Sequence, residues 1–329
     1  IGTDFLQGLG YQATDRNRKW EQSTTYNIGI DWGFFNNRVS GSFEVYLRET
    51  EDLLNLIELP AGSDLGNKIV KNIGSLENKG FEIKIDATPI QIKNFNWYLG
   101  FNYGYADNKI TKLSDNENNI GTTNGGILIN TVGFQRNTFF LYRQVYDSNG
   151  NPIEDQMVDI NQDGSINEQD RYRSKSSVPR HNIGFNTTFN YKKLSFNMTF
   201  HSNLGHYIFF RPNDNLASIY DGIFRGNVHP DYFETQFTQS GNPKQSFSDH
   251  YLQNASFLKM DNISLSYDLG NVLNLNSNSN LTLSASVQNV FILTKFEGGD
   301  PESPYNWGSS SGANYTAPRT LSLGLNFNF

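Results

Sequence analysis

Apolar and polar residues alternate along this chain in segments of about ten residues, and this alternation constrains the fold more than any other feature. Successive side chains of a strand point to opposite faces, so each segment presents one apolar and one polar face. A tilted strand of this length crosses a bilayer. In the last segment the apolar face carries Leu321, Leu323, Leu325, Phe327 and Phe329, and the polar face carries Thr320, Ser322, Gly324, Asn326 and Asn328. The pattern predicts an all-β fold, a transmembrane antiparallel β-barrel.

Eight earlier segments repeat the alternation, so the sequence predicts nine spanning strands. Their alternating positions fall at 26–34, 39–47, 81–85, 97–105, 183–191, 194–200, 263–267 and 281–287. A soluble β-sandwich with one wet face would alternate as well. Strand length, aromatic residues near strand ends and a regular succession of short and long connections favour the barrel over the sandwich.

The composition fits a wall with one face toward lipid and one toward water. Aromatic residues make up 14% of the chain and charged residues 18%, and the mean hydropathy is -0.55. No apolar run approaches the length of about eighteen residues that a helical span needs. A net charge of -7 argues against nucleic acid as a partner. The absence of cysteine removes disulfides and thiolate chemistry.

The connections between segments predict which side of the membrane each end faces. Short connections fall at 35–38, 89–94, 191–193 and 269–279, and long ones at 49–77, 107–180, 204–255 and 291–318. Bacterial barrels keep short turns in the periplasm and long loops outside. We therefore expect residues 1–23 to form an extracellular loop and residues 24–329 to form C-terminal strands and loops of one barrel domain, ending in the periplasm.

The chain begins without an export signal, so we expect an N-terminal portion that contains earlier strands to be absent from it. Single-chain bacterial barrels have an even number of strands, and an odd number must precede a first strand that runs inward. Thirteen such strands would give a barrel of about 22, the size of plugged transporters.

Several stretches, in order along nearly the whole chain, resemble the SusC/RagA family of TonB-dependent transporters. They are YNIGIDWGFFNNR at 26–38, NIG at 72–74, ENKGFE at 77–82, DINQDGSINEQDR at 159–171, YLQNASFLK at 251–259, QNVF at 288–291 and GGDPE at 298–302. The resemblance implies an outer-membrane nutrient importer for oligosaccharides or peptides. It also implies a SusD-like surface lipoprotein as partner and outer-membrane lipid around the barrel. The absent N-terminal part would then carry a plug and the coupling to TonB.

Two other functions stay open at this point. A passive porin or structural outer-membrane barrel would show the same strands, and a soluble carbohydrate-binding β-sandwich is the third alternative. Nothing in the sequence indicates an enzyme. The five histidines form no HExxH pair. No nucleophile elbow, P-loop or dinucleotide fingerprint is present. Carboxylates adjacent in sequence, such as Glu51 and Asp52, do not define the distance between two carboxylates that glycoside hydrolysis requires. We expect no catalytic residue and no organic cofactor.

An acidic motif in the second long loop predicts a calcium site. Its ligand positions carry Asp159, Asn161, Asp163, Ser165 (through its carbonyl) and Asp170, with Gly164 at the sharp turn. Asp170 stands where an EF-hand has a bidentate Glu, which weakens the ligand set. The alternative is a metal-free loop held by Asx turns, which the same residue types support.

Aromatic and arginine side chains in the last two long loops predict a surface for substrate or for the partner lipoprotein. Aromatic faces stack on sugar rings or peptide side chains, and arginine donates hydrogen bonds. The residues are Tyr207, Phe210, Arg211, Tyr220, Arg225, Tyr305 and Trp307. The alternative for each residue is packing within its own loop.

Overall fold

Nine strands form one antiparallel sheet in which each strand pairs with its neighbours in the sequence. The computed structural model describes residues 13–15, 17–58, 68–113, 119–123, 126–210, 233, 235, 237, 244–270, 280–302, 309–310 and 316–328. The sheet strands are Gln22–Phe34 (β1), Val39–Glu51 (β2), Ser75–Ile92 (β3), Phe95–Lys112 (β4), His181–Tyr191 (β5), Leu194–Leu204 (β6), Phe257–Gly270 (β7), Asn280–Thr294 (β8) and Thr320–Asn328 (β9). This sheet, called the wall below, confirms the predicted nine-strand all-β fold.

The strands reach further than the alternation predicted, and one predicted connection is longer than the turn that the structure shows inside it. We placed a connection at 89–94, but β3 continues to Ile92 and only two residues separate it from β4. Pro89 lies at a bulge where the register shifts between Ala87 and Ile90. Bulges are among the few positions in a sheet that tolerate proline. The Arg38 guanidinium donates to the Pro89 carbonyl at 2.8 Å, which supports the bulge from the β1–β2 turn.

The two faces of the wall follow the predicted alternation. On β9, Leu321, Leu323 and Leu325 are 76%, 86% and 72% exposed. Register keeps this apolar face continuous, because Leu321, Leu323 and Leu325 pair with Val287, Ala285 and Leu283 of β8. A large exposed apolar surface of this kind requires a covering medium or partner.

Shorter strands fold the long connections into small sheets. A three-stranded sheet contains Ala13–Thr14, Leu54–Glu58 and Lys68–Asn72; a four-stranded sheet contains Asn119–Thr123, Leu128–Thr131, Thr138–Tyr142 and Arg171–Ser176; a hairpin pairs Gln144–Tyr146 with Pro152–Met157; and a second three-stranded sheet contains Tyr207–Phe210, Leu252–Asn254 and Ser309–Ser310. Single 3-10 turns occur at Glu168–Asp170, Gln245–Phe247 and Asp249–Tyr251. Within the described residues we find no helix long and apolar enough to span a membrane.

The apolar core lies among these connections rather than in the wall. One buried cluster joins the second long connection to the third; it contains Leu128, Phe139, Leu141, Phe209, Phe237 and Tyr251. A second contains Ile208, Phe210, Ala255 and Phe296. Phe139 and Leu141 have no exposed surface. The described parts of 119–176 and 204–255 therefore pack as one unit, called the loop layer below.

Gln144 braces the loop layer. Its side chain is 3% exposed, and its amide nitrogen donates to the carbonyls of Ile153 at 2.7 Å and Gln156 at 3.1 Å. Its amide oxygen accepts from Gln245 at 2.9 Å and from Ser248 at 2.8 Å. A buried amide satisfied on both ends fixes the two connections relative to each other.

Candidate functional site

A groove on the polar face of the wall is the first candidate site. It has a volume of about 300 Å³ and crosses strands β3 to β7. Its polar side chains are Lys84, Asp86, Asn102, Asn186, Thr199, His201 and Asp261. Lys84 and Asp86 form an ion pair at 2.9 Å. This set, called the polar groove below, offers both donors and acceptors to a ligand that forms many hydrogen bonds.

Two amides in the polar groove lie opposite glycines in a reciprocal arrangement. Asn102 pairs with Gly184, and Asn186 pairs with Gly100 on the neighbouring strand. A Cβ on Gly184 would meet the Asn102 side-chain oxygen at 2.1 Å, and a Cβ on Gly100 would meet that of Asn186 at 2.1 Å. Each glycine therefore provides the space in which the opposite amide lies flat across the strands.

A cluster of charged side chains adjoins the polar groove. His201 of β6 contacts Asp261 of β7 through Nδ1 at 2.6 Å and Glu302 through Nε2 at 2.6 Å. The Lys259 ammonium contacts Glu302 at 2.7 Å and Asp300 at 3.7 Å. These five residues, called the ion-pair cluster below, attach the connection after β8 to the polar face of the wall.

Burial and nearby charges shift the pKa values of two residues in the connections, Glu302 of the ion-pair cluster and His206. Burial alone would raise the pKa of Glu302, but hydrogen bonds from Lys259 and His201 outweigh it and hold that pKa below its ordinary value. Burial lowers the pKa of His206 to about 4. His206 is 6% exposed and its Nδ1 has no hydrogen-bond partner among the described residues. At neutral pH His206 is therefore neutral and Glu302 is ionised.

Sequence reasoning missed the ion-pair cluster. The members of the cluster lie as far apart in the chain as His201 and Glu302, and no sequence motif links them. The available signal was the pair of charged residues Lys259 and Asp261, which directly precede the polar and apolar alternation at 262–267 of the same strand. Charges in a spanning strand are costly on an apolar face and so mark the polar one.

Comparison with known proteins identifies the family to which this architecture belongs. The family model described as "TonB dependent receptor-like, beta-barrel" matches residues 3–290. The TonB-dependent receptor SusC of Bacteroides thetaiotaomicron is 34% identical over 100% of this chain. The chain belongs to the TonB-dependent receptor-like β-barrel family. It is an outer-membrane β-barrel protein of the SusC/RagA type, as the sequence motifs predicted.

Other members of the TonB-dependent receptor-like family agree in fold. TonB-dependent receptor P3 of Formosa agariphila is 27% identical over 95% of this chain. The solved structure titled "Structure of the RagAB peptide transporter" superposes with a TM-score of 0.76 at 24% identity, over 94% of this chain. The chain spans about a third of each relative, 34% of SusC, 34% of P3 and 36% of the RagAB chain.

Membership in this barrel family assigns the two faces of the wall. Residues of a transmembrane barrel alternate between lipid and lumen. The apolar face, with Leu321 and Leu323, is the outward face. The polar groove and the ion-pair cluster lie on the opposite face, which lines the lumen.

The acidic motif of this TonB-dependent receptor-like barrel folds into a loop held by its own backbone. The Asp159 carboxylate accepts from the Gln162 and Gly164 amides at 2.7 Å and 2.8 Å. Asp170 has no exposed surface; it accepts from the Asn167 and Ile160 amides at 2.9 Å each, and these bonds lower its pKa despite opposing desolvation. Within the described residues, no group of three or more His, Asp or Glu side chains is placed to hold a metal. The hydrogen bonds match the Asx-turn alternative, and calcium binding stays a prediction.

Only two of the seven loop residues predicted to face substrate or partner lie in the described part of the chain. Phe210 is 6% exposed and packs against Phe296 with ring centroids 5.5 Å apart. For Phe210 the structure therefore shows the packing alternative. Tyr207 is half-buried beneath the Lys175 ammonium, which lies 5.6 Å from its ring centroid. The other five, Arg211, Tyr220, Arg225, Tyr305 and Trp307, lie outside the described residues, as do residues 1–12 of the predicted extracellular segment 1–23.

Proposed function

We propose that this chain forms part of the barrel of an outer-membrane nutrient importer that takes up oligosaccharides or peptides with energy delivered through TonB. The observation that carries the proposal is the 34% identity to the TonB-dependent receptor SusC over the whole chain. The superposition on the RagAB peptide transporter supports the same architecture. The proposal assigns no catalytic role to any residue.

The chemistry of the polar groove fits either class of nutrient. The Asn102 and Asn186 amides, the Thr199 hydroxyl and the Lys84–Asp86 pair line one cavity. Sugar hydroxyls and peptide amides both donate and accept hydrogen bonds, and amide side chains can satisfy both roles at once. We assign the groove to transient contact with the nutrient as it passes through the lumen.

A transport measurement separates active import from a passive pore. Full-length protein would be expressed in an outer membrane with and without TonB, and uptake of labelled oligosaccharide and peptide mixtures would be followed. We expect uptake of one class to disappear when TonB is deleted. Uptake that continues unchanged without TonB would contradict active import and support the passive porin.

Variants of the polar groove test its part in transport. Asn186→Leu removes an amide from the groove, and we expect a two- to tenfold loss in nutrient affinity, about the contribution of one hydrogen bond. Asn190→Leu is the matched control, because Asn190 lies on the same strand and the same face but outside the groove. Equal effects of the two substitutions would refute the assignment of the groove.

The partner lipoprotein is part of the same proposal. We propose that a SusD-like surface lipoprotein covers the extracellular side and contacts the loop layer. A tagged full-length protein purified from outer membranes should retain such a lipoprotein. If stable purified protein retained none under conditions that preserve uptake, the partner assignment would be wrong.

We also propose that the acidic motif binds calcium and thereby orders its loop. Calorimetric titration of full-length protein with calcium should give one binding event that Asp163→Asn weakens at least tenfold, because it removes a charged ligand. Asp147→Asn is the control, since Asp147 also accepts backbone hydrogen bonds in an exposed turn, from Asn149 and Asn151, but lies outside the motif. Heat exchange that is absent, or equal in both variants, would leave the loop with its Asx turns alone.

A further inference from the structure

A second cavity, of about 520 Å³, lies at the loop end of the wall between strands β3 to β6 and the loop layer. Its charged lining consists of Lys79, Lys109, Lys175, Arg180 and Asp107, and Tyr207 forms part of it. We call this cavity the rim pocket. It lies apart from the polar groove, with which it shares no lining residue.

Strand register places the charged residues that β3 and β4 contribute to the rim pocket on the outward face. Lys79 pairs with Asp107, and two residues further into the wall Phe81 pairs with Tyr105. Tyr105 pairs in turn with His181. Side chains two residues apart on a strand share a face, so Lys79, Asp107 and Lys109 continue the outward row that contains these aromatic rings.

The aromatic rings beneath the pocket mark the edge of the membrane. The ring centroids of Phe81 and Tyr105 are 5.7 Å apart, and those of Tyr105 and His181 are 5.2 Å apart. Outer-membrane barrels carry such aromatic girdles at both interfaces, flanking an apolar band about 25 Å tall. About ten residues of β4 separate Tyr105 from Phe95 at the other girdle, or about 26 Å after a tilt of about 40°. The rim pocket begins two residues beyond the upper girdle, or about 5 Å after the same tilt, at the level of lipid headgroups.

The rim pocket is positive in a chain whose net charge is -7. Its single lining carboxylate, Asp107, is already engaged by Arg180 at 3.2 Å and by the Gln135 amide at 2.8 Å. Lys79 pairs with Glu77 at 3.4 Å with 57% of its side chain exposed. Such a surface pair contributes little stability and leaves the ammonium available.

Two lysines of the rim pocket carry its surplus charge. Lys109 and Lys175 are exposed, and neither forms an ion pair with any described residue. Lys175 is positioned over the Tyr207 ring, which limits the conformations of its stem. Unpaired ammonium groups at headgroup level attract anionic headgroups by about 1 kcal/mol each, which is roughly fivefold in affinity.

We propose that the rim pocket binds the phosphate group of an outer-leaflet lipid. Lys109 and Lys175 contact the phosphate, Lys79 and Arg180 border it, and the acyl chains lie against the outward aromatic rings of Phe81 and Tyr105. The cavity is large enough for a phosphorylated sugar headgroup. The outward-facing Lys79 and Lys109 in its lining suit a ligand that arrives from the membrane rather than from the lumen.

Lipid retention tests the proposal directly. Full-length protein in phosphatidylcholine nanodiscs would be supplied with lipid A that carries a phosphate or with the same lipid after enzymatic dephosphorylation, and bound lipid would be counted by native mass spectrometry. We expect the phosphorylated form to be retained preferentially. Lys109→Gln and Lys175→Gln should each reduce its retention roughly fivefold, and the double variant more. Lys109→Arg should restore retention.

The control is Lys192→Gln. The Lys192 ammonium lies 5.5 Å from the Tyr191 ring centroid, in the short turn at the opposite end of the wall. It therefore has the same kind of tyrosine contact as Lys175 but faces the other leaflet. It should leave retention of the supplied lipid unchanged. Equal losses in all variants, equal retention of the dephosphorylated lipid, or full displacement by inorganic phosphate at low concentration would each overturn the proposal, the last by showing a site for free phosphate.

Discussion

His206 gives the protein a sensitivity to acid that belongs to one residue. Its pKa of about 4 lies below the ordinary value of 6.5 because the ring is buried. As pH falls, the unfolded segment takes up a proton before the folded one does, so the folded segment is fully stable above about pH 6.5 and loses stability progressively down to about pH 4. The total loss is about 3 kcal/mol, the free energy that corresponds to a shift of this size.

Replacing His206 with Phe should remove this dependence, since a phenylalanine ring packs against Phe257 as the imidazole does and binds no proton. Hydrogen exchange of the segment around 204–210, measured at pH 7.5 and at pH 5, would report the change. The matched control is His250→Phe, another histidine in a connection with aromatic neighbours. Unchanged acid sensitivity in His206→Phe would show that another group is responsible, with Glu302 first to be tested.

For single residues, the sequence predicted correctly which face of the sheet a side chain lies on, but it did not predict which distant residue that side chain contacts. That Leu321 faces outward follows from its own strand, because the alternation is local. That His201 contacts Glu302 depends on a pairing across about a hundred residues, and no local pattern records it. Phe210 is a second example, because the sequence alone could not distinguish an exposed aromatic ring that contacts a ligand from one that packs within its own loop.

Gln144 should matter most among the elements that brace the loop layer. Gln144→Leu would leave the Gln245 amide and the Ser248 hydroxyl without their acceptor, and we expect the loop layer to lose about 2–4 kcal/mol. Limited proteolysis of full-length protein in detergent would show faster cleavage in 119–176 and 244–255. Gln156→Leu is the control, because Gln156 contributes only its backbone carbonyl to this network and is exposed; cleavage as fast as in Gln144→Leu would contradict the bracing role.

The long strands were predictable as elements and the short ones were not. Each strand of the wall contains enough residues to display a period of two, so the sequence predicted all nine. The strands of the loop layer have few residues, and Thr138–Tyr142 pairs with both Leu128–Thr131 and Arg171–Ser176. A strand this short shows no measurable period, and its pairing depends on the buried cluster around Phe139.

The wall as a whole has two open edges in the described part of the chain. Strands β1 and β9 each pair with one neighbour, and on β1 Ile28 is 81% exposed. Open edges present unpaired backbone groups that recruit further strands. Residues 1–329 refolded alone in detergent should therefore self-associate, as measured by light scattering after size exclusion. A uniform monomer of 37.3 kDa would contradict this expectation.

The reciprocal amide and glycine pairs of the polar groove also constrain which substitutions occur together among related sequences. Any side chain at Gly184 would collide with Asn102, and any side chain at Gly100 would collide with Asn186. A side chain added at either glycine therefore displaces the opposite amide from its position across the strands. Among related genes these four positions should therefore vary as two linked couples, so that altered nutrient preference arises by paired rather than single steps.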